Sequence, residues 1–337
     1  MATVSVRDVA RVAGVSVGTV SNVMNHPEKV SEVVVGRVHD AIAQLGFIRN
    51  DAARQLRAGR SKTIGLVVLD VRNPFFTDIA RGAEDAAADA GLTLTLGNSD
   101  ENVDREATYL DLFEEQRVHG VLISPFGDIT ERLAQLRSRG IPAVLVDRSS
   151  GDASFSSVSV DDVAGGRLAV EHLLGVGKRR IAFVGGPFGI RQVVDRAEGA
   201  RLAVEDIAGA SLEIIPTDAL SVIEGRRAGE AIVSRVPAAR PDALFAANDL
   251  VAMGLLQALR MQGVDVRVPG EIAIIGYDDI DFASAAVVPL SSVRQPSAMI
   301  GKTAVEILLS EAREPSLEPR QIVFQPELVV RASSTGA

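Results

Sequence analysis

Polar residues that could bind a small molecule recur shortly after apolar runs in the sequence. Asp70-Val71-Arg72-Asn73 follow the run at 64–69, and Asp147-Arg148 follow the run at 143–146. Asn248-Asp249 come after the run at 243–246, and Tyr277-Asp278-Asp279 come after the run at 272–276. The run at 181–184 leads through a loop to Asp195-Arg196. Carboxylates and amides can hydrogen-bond to vicinal hydroxyls, an arginine can bridge two of them, and Phe75 and Phe76 can pack on a ring face. Each polar residue alone could instead be a helix cap, as Asn248 could. Their coincidence predicts a site for a polyhydroxylated ligand.

No residue pattern indicates catalysis. The four histidines have neither nucleophile nor metal-ligand spacing, and the absence of cysteine excludes disulfides, thiolate zinc sites and cysteine nucleophiles. The glycine clusters Gly165-Gly166 and Gly185-Gly186 lack G-x-G-x-x-G order and a P-loop lysine. The sequence therefore predicts no enzyme, no cofactor and no metal site.

The elements that position the strand-end residues alternate between strands and helices from Thr63 onward. Residues 64–69 form a continuous apolar run, which is typical of a strand buried on both faces of a parallel sheet. Two consecutive βαβ series follow, the second beginning near Asp161, and such series indicate two doubly wound α/β lobes. Because ligands bind outside the carboxyl ends of strands in these sheets, the predicted site lies there.

The first fifty residues carry a second kind of chemistry. Ser5 and Asp8 form a capping-box pattern, Gly14 ends the first predicted helix, and Ser16 caps a second one, which together predict a helix-turn-helix. The second helix is expected to expose small or amide side chains, namely Val17, Gly18, Ser21, Asn22 and Asn25. Such a face can enter a major groove, and Asn22 can pair with adenine. On this pattern alone, two helices of an ordinary small bundle are the alternative.

The charge distribution favours nucleic-acid binding at the N-terminal end. Residues 1–62 hold nine basic and five acidic residues and have a net charge of +4. The net charge of the whole chain is −9, so the remainder has a net charge of −13. No apolar run is long enough to span a membrane and no secretory signal is visible. We therefore expect a cytoplasmic protein without a membrane partner.

The N-terminal segment resembles the headpiece of the lactose-repressor (LacI/GalR) family of bacterial transcription regulators. The match continues through Val30-Ser31, residues 43–47 and residues 50–56, and resumes at N-P-F-F, V-D-R, F-A-A-N-D and G-Y-D-D. The resemblance implies a headpiece at 1–49, a hinge helix and linker at 50–62, and a two-lobed, periplasmic-binding-protein-like effector and dimerisation domain at 63–337. It places lobe one at about 63–160 plus 292–320, and lobe two at about 161–291 plus 321–330, with three crossings between them.

The resemblance also implies a function. The protein would be a sequence-specific repressor whose affinity for operator double-stranded DNA is controlled allosterically by a small effector. Two headpieces of a homodimer would read two half-sites, and Leu56 of the hinge helix would wedge into the minor groove, although a plain linker is the alternative there. The implied DNA-binding residues are Ser5, Arg7, Ser16, Val17, Gly18, Thr19, Ser21, Asn22, Asn25, Lys29, Ser31, Asn50, Ala53 and Leu56. Because no heptad tail follows residues 328–330, we expect dimers rather than tetramers.

By the same resemblance, a defined set of residues contacts the effector, namely Phe75, Phe76, Ser124, Asp147, Arg148, Arg196, Asn248 and Asp278. The expected effector is a mono- or oligosaccharide that acts as an inducer, and a purine-type corepressor is the alternative. Ala219 stands where some sugar-responsive members carry an aromatic residue, which leaves ring stacking to the Phe pair. A sugar-binding protein without a DNA role would have the same body, but it would need an export signal and no headpiece.

Overall fold

The computed structural model describes residues 4–47, 61–151, 153–205, 207–261 and 266–335. The chain forms two compact units, one ending at Arg60 and one beginning at Ser61. The predicted hinge residues Asn50, Ala53 and Leu56 lie outside the described residues. Among the described residues, no helix has both the length and the apolar character needed to cross a membrane.

The N-terminal unit is a small helical domain. Its helices are α1 (Val6–Ala13), α2 (Val17–Asn25) and α3 (Glu32–Leu45), with a 3-10 turn at Pro27–Lys29 between α2 and α3. The Asp8 carboxylate accepts hydrogen bonds from the Ser5 amide (3.1 Å) and hydroxyl (2.7 Å), and Ser16 Oγ accepts one from the Thr19 amide (3.0 Å). Gly14 has a φ of 64°, the left-handed conformation that ends a helix. These contacts confirm the predicted helix-turn-helix.

The helices of this unit share one apolar core. Val9, Val20 and Val38 are fully buried, and Phe47 packs against the same cluster. Because the core takes the apolar stripes of all three helices, the outer face of α2 is left to the solvent.

The C-terminal unit contains two six-stranded sheets. The first sheet has the order β11-β5-β4-β3-β1-β2, and its strands are β1 (Thr63–Val68), β2 (Thr93–Asn98), β3 (Gly120–Ile123), β4 (Ala143–Val146), β5 (Ser156–Val160) and β11 (Gln321–Phe324). The second has the order β12-β10-β9-β8-β6-β7, with β6 (Arg180–Val184), β7 (Ser211–Ile215), β8 (Ala243–Ala246), β9 (Ala273–Asp278), β10 (Ser291–Arg294) and β12 (Glu327–Val329). All described strand pairs are parallel except β10–β12. The predicted doubly wound fold is confirmed.

Helices cover both sheets of this unit. They are α4 (Pro74–Asp89), α5 (Val103–Glu115), α6 (Thr130–Ser138), α7 (Asp162–Gly175), α8 (Arg191–Glu205), α9 (Val222–Val233), α10 (Asp249–Leu259), α11 (Asp281–Ala285), α12 (Ser297–Arg313) and α13 (Ala332–Thr335). Helix α4 begins at Pro74, and the Asn73 side chain accepts a hydrogen bond from the Phe75 amide (3.1 Å). The Asn248 side chain likewise caps α10 through the Val251 amide (2.9 Å).

The predicted division of the C-terminal segments between the lobes is wrong at two strands. Strand β10 (Ser291–Arg294), predicted to open the second part of lobe one, pairs with β9 in the second sheet, whereas β11 (Gln321–Phe324), predicted for lobe two, pairs with β5 in the first. Strands β11 and β12 lie in different sheets although they are close in sequence, and Pro326 between them cannot donate to a ladder. Lobe one therefore comprises 61–160 with α12 and β11, and lobe two the rest of the unit.

Candidate functional site

A cavity lies between the two lobes, at the carboxyl ends of β1, β4, β8 and β9. The empty space in it, including the part that is open to solvent, is about 430 Å³. Six of the eight predicted effector contacts line it, namely Phe75, Phe76, Asp147, Arg196, Asn248 and Asp278. The structure therefore brings together most of the set predicted from the sequence, while their contact with an effector stays a prediction.

Arg196, on α8, holds the polar part of this cavity together. Its Nε donates to Asp162 Oδ1 (2.8 Å), its Nη1 donates to the Ala247 carbonyl (2.8 Å), and its guanidinium carbon lies 3.7 Å from the centre of the Tyr277 ring. The side chain is 4% exposed, and its Nη1 is 3.9 Å from Asp278 Oδ1. Among the described residues that line the cavity, Arg196 is the only cation. One buried guanidinium therefore balances several carboxylates.

The carboxylates around Arg196 hold their protons more strongly than usual. Burial raises the pKa of Asp278 to about 6, although Arg196 opposes the shift. Burial, with Asp162 nearby, raises the pKa of Asp147 well above its ordinary value, and burial raises that of Asp162 as well. Desolvation therefore outweighs the attraction of the single arginine, which is the expected order for sealed, carboxylate-rich sites.

Two amide side chains join the lobes directly across the cavity. Gln192 of lobe two donates from Nε2 to Asp147 Oδ2 (2.8 Å) in lobe one, and Asn73 of lobe one donates from Nδ2 to Asp278 Oδ2 (2.9 Å) in lobe two. Gln295, which follows β10, donates to Asp278 Oδ1 (2.8 Å). The predicted set of effector contacts includes none of these three amides, and only Asn73, beside the Phe pair, carried a local signal in the sequence.

One carboxylate oxygen in the cavity is left without a partner. Asp147 Oδ1 is buried, the residue is 3% exposed, and no hydrogen-bond donor among the described residues reaches this oxygen. A buried acceptor without a donor is costly, and a ligand hydroxyl would relieve that cost. This oxygen can therefore accept a hydrogen bond from a ligand hydroxyl.

The backbone at the strand ends is held in conformations that side chains rarely adopt. Asp147 has a φ of 59° and Asp278 a φ of 101°. Such non-glycine residues concentrate at ligand sites, where the surrounding fold determines the conformation. Gly165 lets Tyr277 approach α7, since an added Cβ would lie 2.1 Å from the tyrosine hydroxyl. Neither feature is visible in residue types alone.

The structure does not place Arg148 or Ser124 at this cavity. Arg148 donates from Nη1 to the Gly127 carbonyl (2.8 Å), which holds its side chain in a separate pocket of lobe one. Ser124 is fully buried, and its hydroxyl has no partner among the described residues. Neither residue is among those that line this cavity, and their contact with an effector stays a prediction.

The candidate nucleic-acid interface is the outer face of α2. Val17 is 43% exposed, Ser16, Gly18, Asn22 and Asn25 are exposed, and Thr19 and Ser21 are half-buried. Asn25 Nδ2 donates to the Ser21 carbonyl (2.9 Å), so this amide is engaged within the helix. The remaining described candidates, Ser5, Arg7, Lys29 and Ser31, are also exposed. A face of small and amide groups is therefore available for base edges.

Comparison with known proteins gives matches to both units. Residues 5–50 match the lacI family of bacterial regulatory proteins, and residues 170–334 match the periplasmic binding protein-like domain. The chain is 34% identical to the HTH-type transcriptional repressor PurR of Photobacterium profundum over 98% of both chains. It is 32% identical to the ribose operon repressor of Escherichia coli, over 98% of this chain and 99% of that one.

Solved structures of transcriptional regulators are similar to most of this chain. A lac repressor dimer bound to operator and the anti-inducer ONPF has a TM-score of 0.82 and 26% identity, over 99% of each chain. A complex of the transcriptional regulator CelR with cellobiose has a TM-score of 0.72 and 30% identity, over 98% of this chain and 99% of that one. A regulator from Enterococcus faecium with bound ribose has a TM-score of 0.73 and 28% identity, over 82% and 99%.

Proposed function

Since the chain belongs to the LacI family of bacterial regulatory proteins, we propose that it is a homodimeric repressor whose operator binding is controlled by a sugar in the cavity between the lobes. Members of this family are DNA-binding regulators controlled by small-molecule effectors, and they are not enzymes. The proposed part concerns the effector, the residues that bind it and the dimer.

The observation that carries the proposal is the cavity with its unpartnered Asp147 oxygen. A ligand hydroxyl that donates to Asp147 Oδ1 would stand beside Gln192 of the opposite lobe, which already bonds the other oxygen of Asp147. Such a ligand interacts differently with closed and open lobes. It can therefore shift the equilibrium between states that bind operator well and poorly, and a ligand without that difference would shift nothing.

The groups of the cavity favour a sugar as this ligand. Asp147 Oδ1 can accept a hydrogen bond from a ligand hydroxyl, and the rings of Phe75 and Phe76 offer an apolar face. Related structures hold cellobiose and ribose. The second candidate is a purine-type corepressor, favoured by the 34% identity to PurR. Leu220 and Ile190, which also line the cavity, are aliphatic. A flat purine base would therefore find no aromatic face there besides the Phe75–Phe76 pair.

A titration tests the proposed effector. Adding free sugars to the purified protein is expected to raise its melting temperature, because a ligand that binds only the native state stabilises it by mass action. The same sugar should weaken binding to an operator fragment if it is an inducer. Hypoxanthine in place of the sugars distinguishes the alternative: a purine that raises the melting temperature and strengthens operator binding would replace the sugar.

The proposed dimer has a candidate contact surface on lobe two. Ile223 on α9, Phe282 on α11 and Val287 just after it are 66%, 56% and 89% exposed. Large apolar side chains exposed at a surface are typical of an interface, and a two-fold dimer would present two headpieces to two half-sites. The lac repressor relative is a dimer on its operator. Because operator DNA is the partner, we also propose a cytoplasmic location.

Asn22→Ala is expected to weaken binding to the preferred operator by about tenfold, because a bidentate amide contact to adenine contributes roughly 1–3 kcal/mol of base discrimination. The dependence of binding on salt concentration should stay the same, since no phosphate contact is removed. Fluorescence anisotropy with operator variants measures both quantities. Gln44→Ala, an exposed amide on α3, is the control. Equal losses for all DNA sequences would contradict a base-reading role for Asn22.

A further inference from the structure

Glu101 is a residue of the cavity wall that the mechanism above does not use. It follows β2, its φ is 54°, and its amide donates to the Leu69 carbonyl (3.2 Å). The preceding Asp100 also has a positive φ, of 53°. Two consecutive acidic residues in the left-handed region are unusual, and the surrounding fold must hold them there. This conformation sets Glu101 into the lining of the cavity, where it is half-buried.

The two arginines close to Glu101 are occupied by other carboxylates. Arg72 donates from Nε to Asp70 (2.8 Å) and from Nη2 to Asp100 (2.8 Å), and Arg105 donates from Nη1 to Asp100 (2.8 Å). Arg72 acts on Glu101 only through space, and this attraction is smaller than the combined effect of burial and the two aspartates. Burial, reinforced by Asp70 and Asp100, raises the pKa of Glu101 to about 7. Its charge is therefore poorly compensated.

Asp147, which also lines the cavity, has the same imbalance. Asp147 Oδ1 is a buried acceptor without a donor among the described residues, and Arg196 is already bonded to Asp162 and to the Ala247 carbonyl. Glu101 and Asp147 thus both offer acceptors to a ligand in this cavity. A hydroxylated, uncharged ligand supplies donors to them, whereas a phosphate supplies only further acceptors and negative charge.

We propose that Glu101 determines the charge specificity of the effector site: it accepts a hydrogen bond from a hydroxyl of a free sugar and repels the phosphate ester of the same sugar. This inference rests on the proposed function, because it specifies which class of sugar the cavity takes. The regulator would then respond to a sugar before its phosphorylation, so that a phosphoryl-transfer reaction removes the signal.

Calorimetric titration at pH 8, where Glu101 is largely ionised, tests the proposal with ribose against ribose 5-phosphate and glucose against glucose 6-phosphate. At an effective dielectric constant of about 20, each negative charge about 6 Å from an ionised carboxylate weakens binding roughly a hundredfold, and a phosphate ester carries nearly two such charges at pH 8. We therefore expect the wild-type protein to prefer the free sugar of the pair that binds by at least that factor. Glu101→Gln should reduce the ratio of the affinities for free sugar and phosphate ester at least roughly tenfold. Its affinity for the free sugar should fall only a few-fold.

Two further variants keep the test decisive. Glu101→Asn, which suits a left-handed backbone, replaces Glu101→Gln if the latter fails to fold. Glu115→Gln, an exposed change on α5, should leave the preference as it is in the wild type. A phosphate ester that binds as tightly as its free sugar, or a preference that both Glu101 variants retain in full, would overturn the role of Glu101 and leave the sugar effector standing. If no free sugar binds, the proposed sugar effector fails, and this inference fails with it.

Discussion

Arg196→Ala is expected to lower the free energy of unfolding of the C-terminal unit by about 3–5 kcal/mol and to abolish the effector response. The substitution leaves Asp162 without its bonded partner and removes the only cation that lines the cavity among the described residues. Removing one member of a buried ion pair leaves the other charge uncompensated, which is more costly than never having built the pair. It also removes one of the side chains that line the proposed effector site.

The two tyrosines of the chain give a suitable signal for this measurement. Tyr277 lies in contact with Arg196, and the second tyrosine, Tyr109, also lies in the C-terminal unit, so near-ultraviolet circular dichroism follows this unit alone. Urea titrations then give the stability, and anisotropy with an operator fragment gives the effector response. Operator affinity without effector should be retained, because the DNA-binding face belongs to the other unit.

Two matched variants separate charge from geometry. Arg201→Ala removes an arginine from the same helix, but Arg201 is exposed and pairs with Glu198 and Glu205 in solvent, so neither stability nor response should change measurably. Arg196→Lys keeps the charge and should recover part of the stability, yet it lacks the planar fork and should not recover the response. A full effector response in Arg196→Ala would contradict the assignment of this residue to the site.

The sequence was sufficient to predict the site wherever a functional residue directly follows its strand. Asp147 follows β4, Asp278 is the last residue of β9, and Asn248 caps the helix after β8. A correct strand assignment therefore places all three residues at one edge of the cavity. The parallel topology brings these ends together regardless of distance along the chain. The family resemblance, and not its position after a strand, added Arg196 to the predicted set. Its burial between the lobes is known only from the structure.

The residues that bridge the lobes could not be predicted in the same way. Gln192 and Gln295 become site residues only because the closed lobes place them opposite Asp147 and Asp278, and nothing in their neighbourhood in the sequence marks that contact. The misplacement of β10 and β11 has the same origin. Which sheet a strand joins depends on its pairing partner, and this is a non-local property, whereas periodicity reports only local structure.

The remaining expected result concerns pH. The free energy of unfolding of the C-terminal unit should rise as the pH falls from 7 to 5. The pKa of Asp278 is about 6 in the folded protein and near 3.8 in the unfolded chain, so between these values the native state binds a proton that the unfolded state does not. Stability then decreases with increasing pH, and Asp278 alone accounts for about 1 kcal/mol between pH 5 and 7.

Other groups determine whether this slope is visible. Asp147, Asp162 and Asp249 have raised pKa values and act in the same direction as Asp278, whereas burial lowers the pKa of His172, which therefore costs stability as the pH falls through about 6.5. Asp278→Asn isolates one contribution. It should flatten the slope by about 1 kcal/mol over the interval, whatever it does to stability at pH 7. The exposed Asp104→Asn should leave the slope unchanged. The measurement is the urea midpoint, recorded through the tyrosine signal at half-unit steps of pH. An identical dependence of stability on pH in Asp278→Asn and wild type would show that this carboxyl does not hold the extra proton.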